Sequence, residues 1–373
     1  MQVNQVGFLG NFLRFKSINN DTEVKEPSLL TQGGGLDVVE ISASKSEKFD
    51  DVFKELTQNV PDRTTTIEEK EKALSYIDRM LKCNDITPEM KNYWTNKKNV
   101  IEMEIQSIKN EQQVGKNEKW QDVAKEFSDF TDKYWVENVL NDKGGLDNLG
   151  FNDAQEYYNT VRRTMITFCD RILACSDLPD NMKEYYLNLK NGFKCDLNYY
   201  AVQQNEYNKT QNQKTESFND VFAEMKNNVP DSTSTVNTKQ LALSYIERML
   251  SCDDIPNAEY WQNKKEVIEM EIQNIKNEEI LNKGGETVQD VWKEFSDFTN
   301  KHFKLNSNLS FEDQFENRMT YYATYKTFCL RFLACEGLTE EQRSEYYRMM
   351  QNAERDIANW ERDYNNYMND KNN

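Results

Sequence analysis

One histidine, His302, serves a chain of 373 residues. That scarcity removes two-His iron sites, most zinc sites and the Glu-x-x-His pairs of helical di-metal proteins. Six prolines and 13 glycines are few for this length, which counts against turn-rich β architectures and favours long helices. No run approaches the ~18 apolar residues of a membrane span. The seven cysteines are odd in number and widely spaced, so free thiols in a reducing compartment are expected rather than a disulfide framework. No GxxxxGK[ST] phosphate loop occurs, and Gly33-Gly34-Gly35 lacks the Lys-Ser or Lys-Thr that such a loop needs. The Gly/Asn/Asp-rich stretch 141–153 reads as a loop without EF-hand spacing.

What is abundant is acid and aromatic surface. Acidic residues number 64 against 46 basic ones, a net charge of −18. That excess repels phosphate backbones, so nucleic acid is not an expected partner. With 19 Phe, 19 Tyr and 6 Trp, the chain is too apolar to be a disordered acidic tail.

Three landmarks recur four times in one order. The first is FDDVFKEL (49–56), WQDVAKEF (120–127), FNDVFAEM (218–225) and VQDVWKEF (288–295). The second is YIDRMLKC (76–83), FCDRILAC (168–175), YIERMLSC (245–252) and FCLRFLAC (328–335). The third is Tyr93-Trp94, Tyr185-Tyr186, Tyr260-Trp261 and Tyr346-Tyr347. Residues 49–111 and 218–279 are near duplicates, and 120–214 matches 288–370. The order is therefore A, B, A′, B′. Apolar residues fall at i, i+3, i+4 and i+7 in three stretches per module. Thr66 with Glu69 reads as a capping box, and Ser217/Asp220 and Thr287/Asp290 as acidic variants of it.

The expected fold is all-α, four tandem three-helix bundles behind a non-repeat N-terminal arm. The boundaries are 1–48 for the arm, then 49–119 (A), 120–217 (B), 218–287 (A′) and 288–373 (B′). Lys283-Gly284-Gly285 reads as a flexible joint. The stretch 201–217 reads as either a polar linker or a helix shared between modules. The arm holds five basic and six acidic residues, so the repeats carry nearly all the net charge.

The recurring side chains have a structural and a functional reading. Asp51, Asp122, Asp220 and Asp290, with Glu55, Glu126, Glu224 and Glu294, could bind a ligand together with Arg79, Arg171, Arg248 and Arg331. Repetition favours packing instead, because an enzyme needs one site and an ion pair is needed once per module. Cys83, Cys175, Cys252 and Cys335 read as small buried hydrophobes. His302 lacks any nearby nucleophile and reads as a core histidine. No metal or cofactor is expected.

Two sets of residues are candidates for partner binding. Adjacent tyrosines rarely both point fully into one core, so Tyr157, Tyr158, Tyr199, Tyr200, Tyr321 and Tyr322 read first as core-edge packing and otherwise as a partner-binding surface. In the arm, Phe8, Phe12 and Phe15 form a helical stripe with Leu9 and Leu13 beside it, which reads as docking onto the first bundle or as anchoring to a membrane or partner, since the arm carries too little charge to exclude a membrane surface. It does not read as a cleavable signal peptide. The expectation is a non-enzymatic helical scaffold or adaptor in the cytoplasm, binding one or more proteins. The alternatives are an effector anchored to membranes, or exported by a non-classical route, through residues 1–20, and an enzyme with its site between modules.

Overall fold

The computed structural model describes residues 47–61, 63–140 and 146–372. The arm stripe from Phe8 to Phe15 therefore lies outside the described residues, as does 141–145. The described chain is all-α, with 12 α-helices and no strand. It divides into two compact units, 1–105 and 106–373, with the boundary inside one long helix.

The first unit contains α1 (Phe49–Asn59), α2 (Ile67–Met80) and most of α3 (Pro88–Gln113). Phe49, Val52, Ile77, Met80 and Cys83 form its core, with Trp94 and Ile101 of α3 packed against them. The capping box at Thr66 is complete: its hydroxyl accepts from the Glu69 N–H, and the Glu69 carboxylate accepts from the Thr66 N–H. Pro88 opens α3, where its missing N–H costs nothing.

The second unit continues with α4 (Trp120–Thr131), α5 (Phe151–Leu173), α6 (Asp180–Thr210), α7 (Phe218–Asn228) and α8 (Val236–Leu250). It ends with α9 (Ala258–Lys283), α10 (Val288–His302), α11 (Phe311–Ala334) and α12 (Glu340–Asn372). A π-helical segment, Asp132–Leu140, follows α4, and a 3-10 turn covers Leu146–Asn148. Phe151 opens α5, so the expected loop 141–153 is shorter than its composition suggests.

Long helices here serve two neighbours. Trp261 and Ile268 of α9 pack on the core of α7 and α8, while Val267 and Met270 of the same helix belong to the core of α10, α11 and α12. Likewise α6 packs on both α5 and α8. These helices are not private to one three-helix bundle, because each carries apolar residues on two faces. The polar stretch after 201 is thus mostly helix, and α6 ends at Thr210.

The shared contacts recur every seven residues along α6 and α9. Asn198 donates to Ser244, and Asn205 donates to Ser251. Between α9 and α11, Asn317 donates to Asn263, Thr324 to the Met270 carbonyl, and Asn277 to Thr327. The pairs advance in the same direction, so these helices run parallel with polar residues at core positions, the device that fixes register in coiled coils.

The helix starts reveal a cap that spacing alone hides. Ser217 makes no side-chain cap bond. The N–H of Phe218 instead donates to Asp254, 2.8 Å away, in the turn after α8. Phe49 and Trp120 do the same with Asp85 and Asp177. The fourth copy has Gly337 at that position (φ +74°), and there Thr287 caps its own helix by accepting from the Asp290 N–H. Asp254→Ala should cost about 1 kcal/mol, whereas Ser217→Ala should be near neutral. Urea midpoints of the two variants check this.

Candidate functional site

The recurring arginines form one polar node per copy. Arg171 reaches Glu118 through Nε at 2.7 Å and Glu126 through Nη1 at 2.6 Å. Arg248 reaches Glu216 at 2.6 Å and Glu224 at 3.0 Å. Arg331 reaches Glu286 at 2.8 Å and Glu294 at 2.7 Å. Arg79 pairs with Glu47 at 2.6 Å and Glu55 at 2.8 Å. In each copy one glutamate stands on the first helix and the other eight residues earlier. Each guanidinium thus ties the entrance of one helix to the flank of another. Asp51, Asp122, Asp220 and Asp290 stay out of the node. Each is the third residue of its helix, where a carboxylate favours the positive end of the dipole.

Three nodes have a third member. Asn110, Asn198 and Asn277 accept from Nη1 of Arg171, Arg248 and Arg331 at 3.1, 3.0 and 2.7 Å. Each amide also donates to the hydroxyl four residues before that arginine: Thr167, Ser244 or Thr327. All three Asn are buried, so pairing both ends of the amide removes a desolvation penalty. Arg331 has a side chain 0% exposed, against 35% for Arg79. Glu286 directly follows Gly285, so the expected flexible joint is a short turn held by Arg331, with Gly284 and Gly285 at φ +66° and +87°.

The thiols complete the pattern. Cys83, Cys175, Cys252 and Cys335 each donate to the carbonyl of the node arginine four residues back. All four are buried, and burial pushes their thiols up, to about 11 for Cys252. Cys195 is raised to about 11 and Cys329 to about 12, again by burial. Protonated thiols are poor nucleophiles and poor metal ligands. Among the described residues no group of three His, Cys, Asp or Glu could hold a metal ion.

No protein-family model, curated protein or solved structure matches the chain. Among the described residues no helix is long and apolar enough to cross a membrane.

His302 is buried against Phe298, with Nδ1 unpartnered. Burial lowers its pKa to about 4, aided by Lys301. The depressed value means that neutral His302 is the folded form, so stability is complete above the unfolded pKa of ~6.5 and falls as pH drops toward 4. Between pH 7 and pH 5 this one group should remove about 2 kcal/mol. His302→Phe should lose that part of the pH dependence in urea titrations, while the carboxylate part stays.

The tyrosine candidates separate by burial. Tyr157 and Tyr321 are inside the core, and the Tyr157 hydroxyl donates to the Tyr134 carbonyl, so neither offers a docking surface. Tyr158, Tyr200 and Tyr322 are half-buried, with Tyr158 stacked on Tyr200 at 5.4 Å. Tyr199 is exposed. Sequence reasoning missed a second set. Phe53 and Trp292 are about 40% and 39% exposed on first helices, and each packs on an aromatic of a third helix, Trp94 at 5.9 Å and Tyr346 at 6.4 Å. Phe222 with Trp261 and the exposed Tyr260 repeat the arrangement, whereas Ala124 interrupts it in the second copy. The signal was present: the apolar position after Asp-Val reads Phe, Ala, Phe, Trp.

Proposed function

We propose that the chain is a non-enzymatic scaffold or adaptor, built as four tandem helical modules in A-B-A′-B′ order, that binds other proteins through its aromatic rims. One observation carries this reading. The polar groups that resemble a site recur once per module and are fully used in joining helices. The side chains left over on the surface are large aromatics such as Phe53, Tyr260 and Trp292, the residue types on which interfaces depend. The acidic net charge keeps such a surface soluble and favours cationic partners at long range.

Full-length bait in the source cell tests the reading. A protein partner should be retained by the native chain and lost from Trp292→Ser or Tyr260→Ser, with helical circular dichroism unchanged. Retention of the same partner by both variants would refute the rim as the binding surface.

A further inference from the structure

We infer that α1 and α2 form a two-helix lid, which opens from α3 as one piece while the rest of the chain stays folded. The matching pair is α7 and α8 of the same chain, because residues 49–111 and 218–279 are near duplicates.

Most ties of the two copies are equal. Lys70 bonds Glu104 at 2.6 Å in one, and Lys239 bonds Glu271 at 2.7 Å in the other. Lys98 and Asp78 at 2.7 Å match Lys265 and Glu247 at 2.9 Å. Thr66 and Thr235 each make a full capping box. The copies differ on one face of the second helix. On α8 that face meets α6: Asn198 bonds both Ser244 and Arg248, and Asn205 reaches Ser251 at 2.9 Å. Leu241 on the same face is 1% exposed. On α2 the matching positions are Lys72, Ser75 and Lys82, and all three are exposed. Arg79 bonds Glu47 and Glu55 but no asparagine among the described residues. A lysine in place of the leucine suits this face to water and removes the burial that secures α8.

The two helices of the lid hold each other. Arg79 of α2 joins Glu55 of α1, and Asp85, in the turn after α2, accepts from the Phe49 N–H. Their core is Phe49, Val52, Ile77, Met80 and Cys83, whereas the matching core also contains Leu241 and Tyr245. The third helix does not depend on the lid alone. Val100, Met103 and Ile105 of α3 are buried and stand outside the lid's core. Opening therefore leaves α3 in place and bares its Trp94 and Ile101 side, an apolar surface that the closed form covers.

Hydrogen exchange of the full chain, read by mass spectrometry at neutral pH, tests the lid. Ala-Leu-Ser-Tyr-Ile occurs in both α2 (73–77) and α8 (242–246), so intrinsic exchange is closely matched. The α2 copy is expected to exchange about 100-fold faster, because it lacks the leucine burial and the bonds from α6. The stretch from Val100 to Ile105 should stay as slow as the α8 copy. Met80→Ala, at a fully buried position, should speed the slowest amides of α1 and of α2 by one common factor of about 30 or more. Equal exchange of the two Ala-Leu-Ser-Tyr-Ile copies would overturn the inference. So would fast exchange from Val100 to Ile105, which would mean that the whole module opens. Unequal factors for α1 and α2 in the Met80 variant would show that the two helices do not move as one piece.

Discussion

Arg331→Met is expected to lower stability by about 3–5 kcal/mol, the range for breaking a buried ion pair by removing one partner. The loss comes less from the arginine than from what remains. Glu286 is 22% exposed in its side chain and loses its donor, and the buried Asn277 oxygen keeps only its bond from Gln273. The chain carries its own control. Arg79 makes the same two glutamate bonds with no asparagine and 35% exposure. Water can replace its partners there, so Arg79→Met should leave the unfolding midpoint nearly unchanged. Urea unfolding of both variants measures the contrast. Equal losses would mean that burial does not set the strength of the node.

Phe328→Ala should cost a similar amount, about 3–5 kcal/mol, by a different mechanism. Phe328 is fully buried, with ring centroids 5.6 Å from Phe295 and 5.3 Å from Phe298. Truncation leaves a cavity that three helices cannot close together. Phe328→Leu should recover most of the loss because it keeps most of the volume. Thermal midpoints of the pair check the assignment, and an equally damaged Leu variant would point to ring contacts rather than volume.

Much of the helical pattern was legible because it rests on period. The i, i+3, i+4 stripes put Val52, Phe53, Ile77 and Met80 on core faces; Val52, Ile77 and Met80 are buried, whereas Phe53 is 40% exposed. The capping box at Thr66 was readable because both partners are local. The recurring Arg was readable as the partner of a first-helix acid, because both recur. The second acid was available in the eight-residue step from Glu47 to Glu55 and its repeats, but only as a pattern with no stated role. Asn110 and Asn277 stood in plain view inside the repeated IKNE. Their meaning depends on a partner 61 or 54 residues away, which spacing along one helix cannot supply. The Asp254 cap was hidden for the same reason. Adjacency says that two tyrosines diverge and does not say which one turns inward, so the buried Tyr157 and Tyr321 were not separable from Tyr158 and Tyr322.

The sharing of long helices is the claim most open to direct test. Native-state hydrogen exchange on Arg331→Met, read by mass spectrometry in low urea, resolves each helix separately. If α9 belongs to the core on both sides, its amides around Val267–Asn277 should lose protection together with α10, α11 and α12. If those three helices open alone while α9 keeps its native protection, the modules are separable beads and the shared-helix account is wrong.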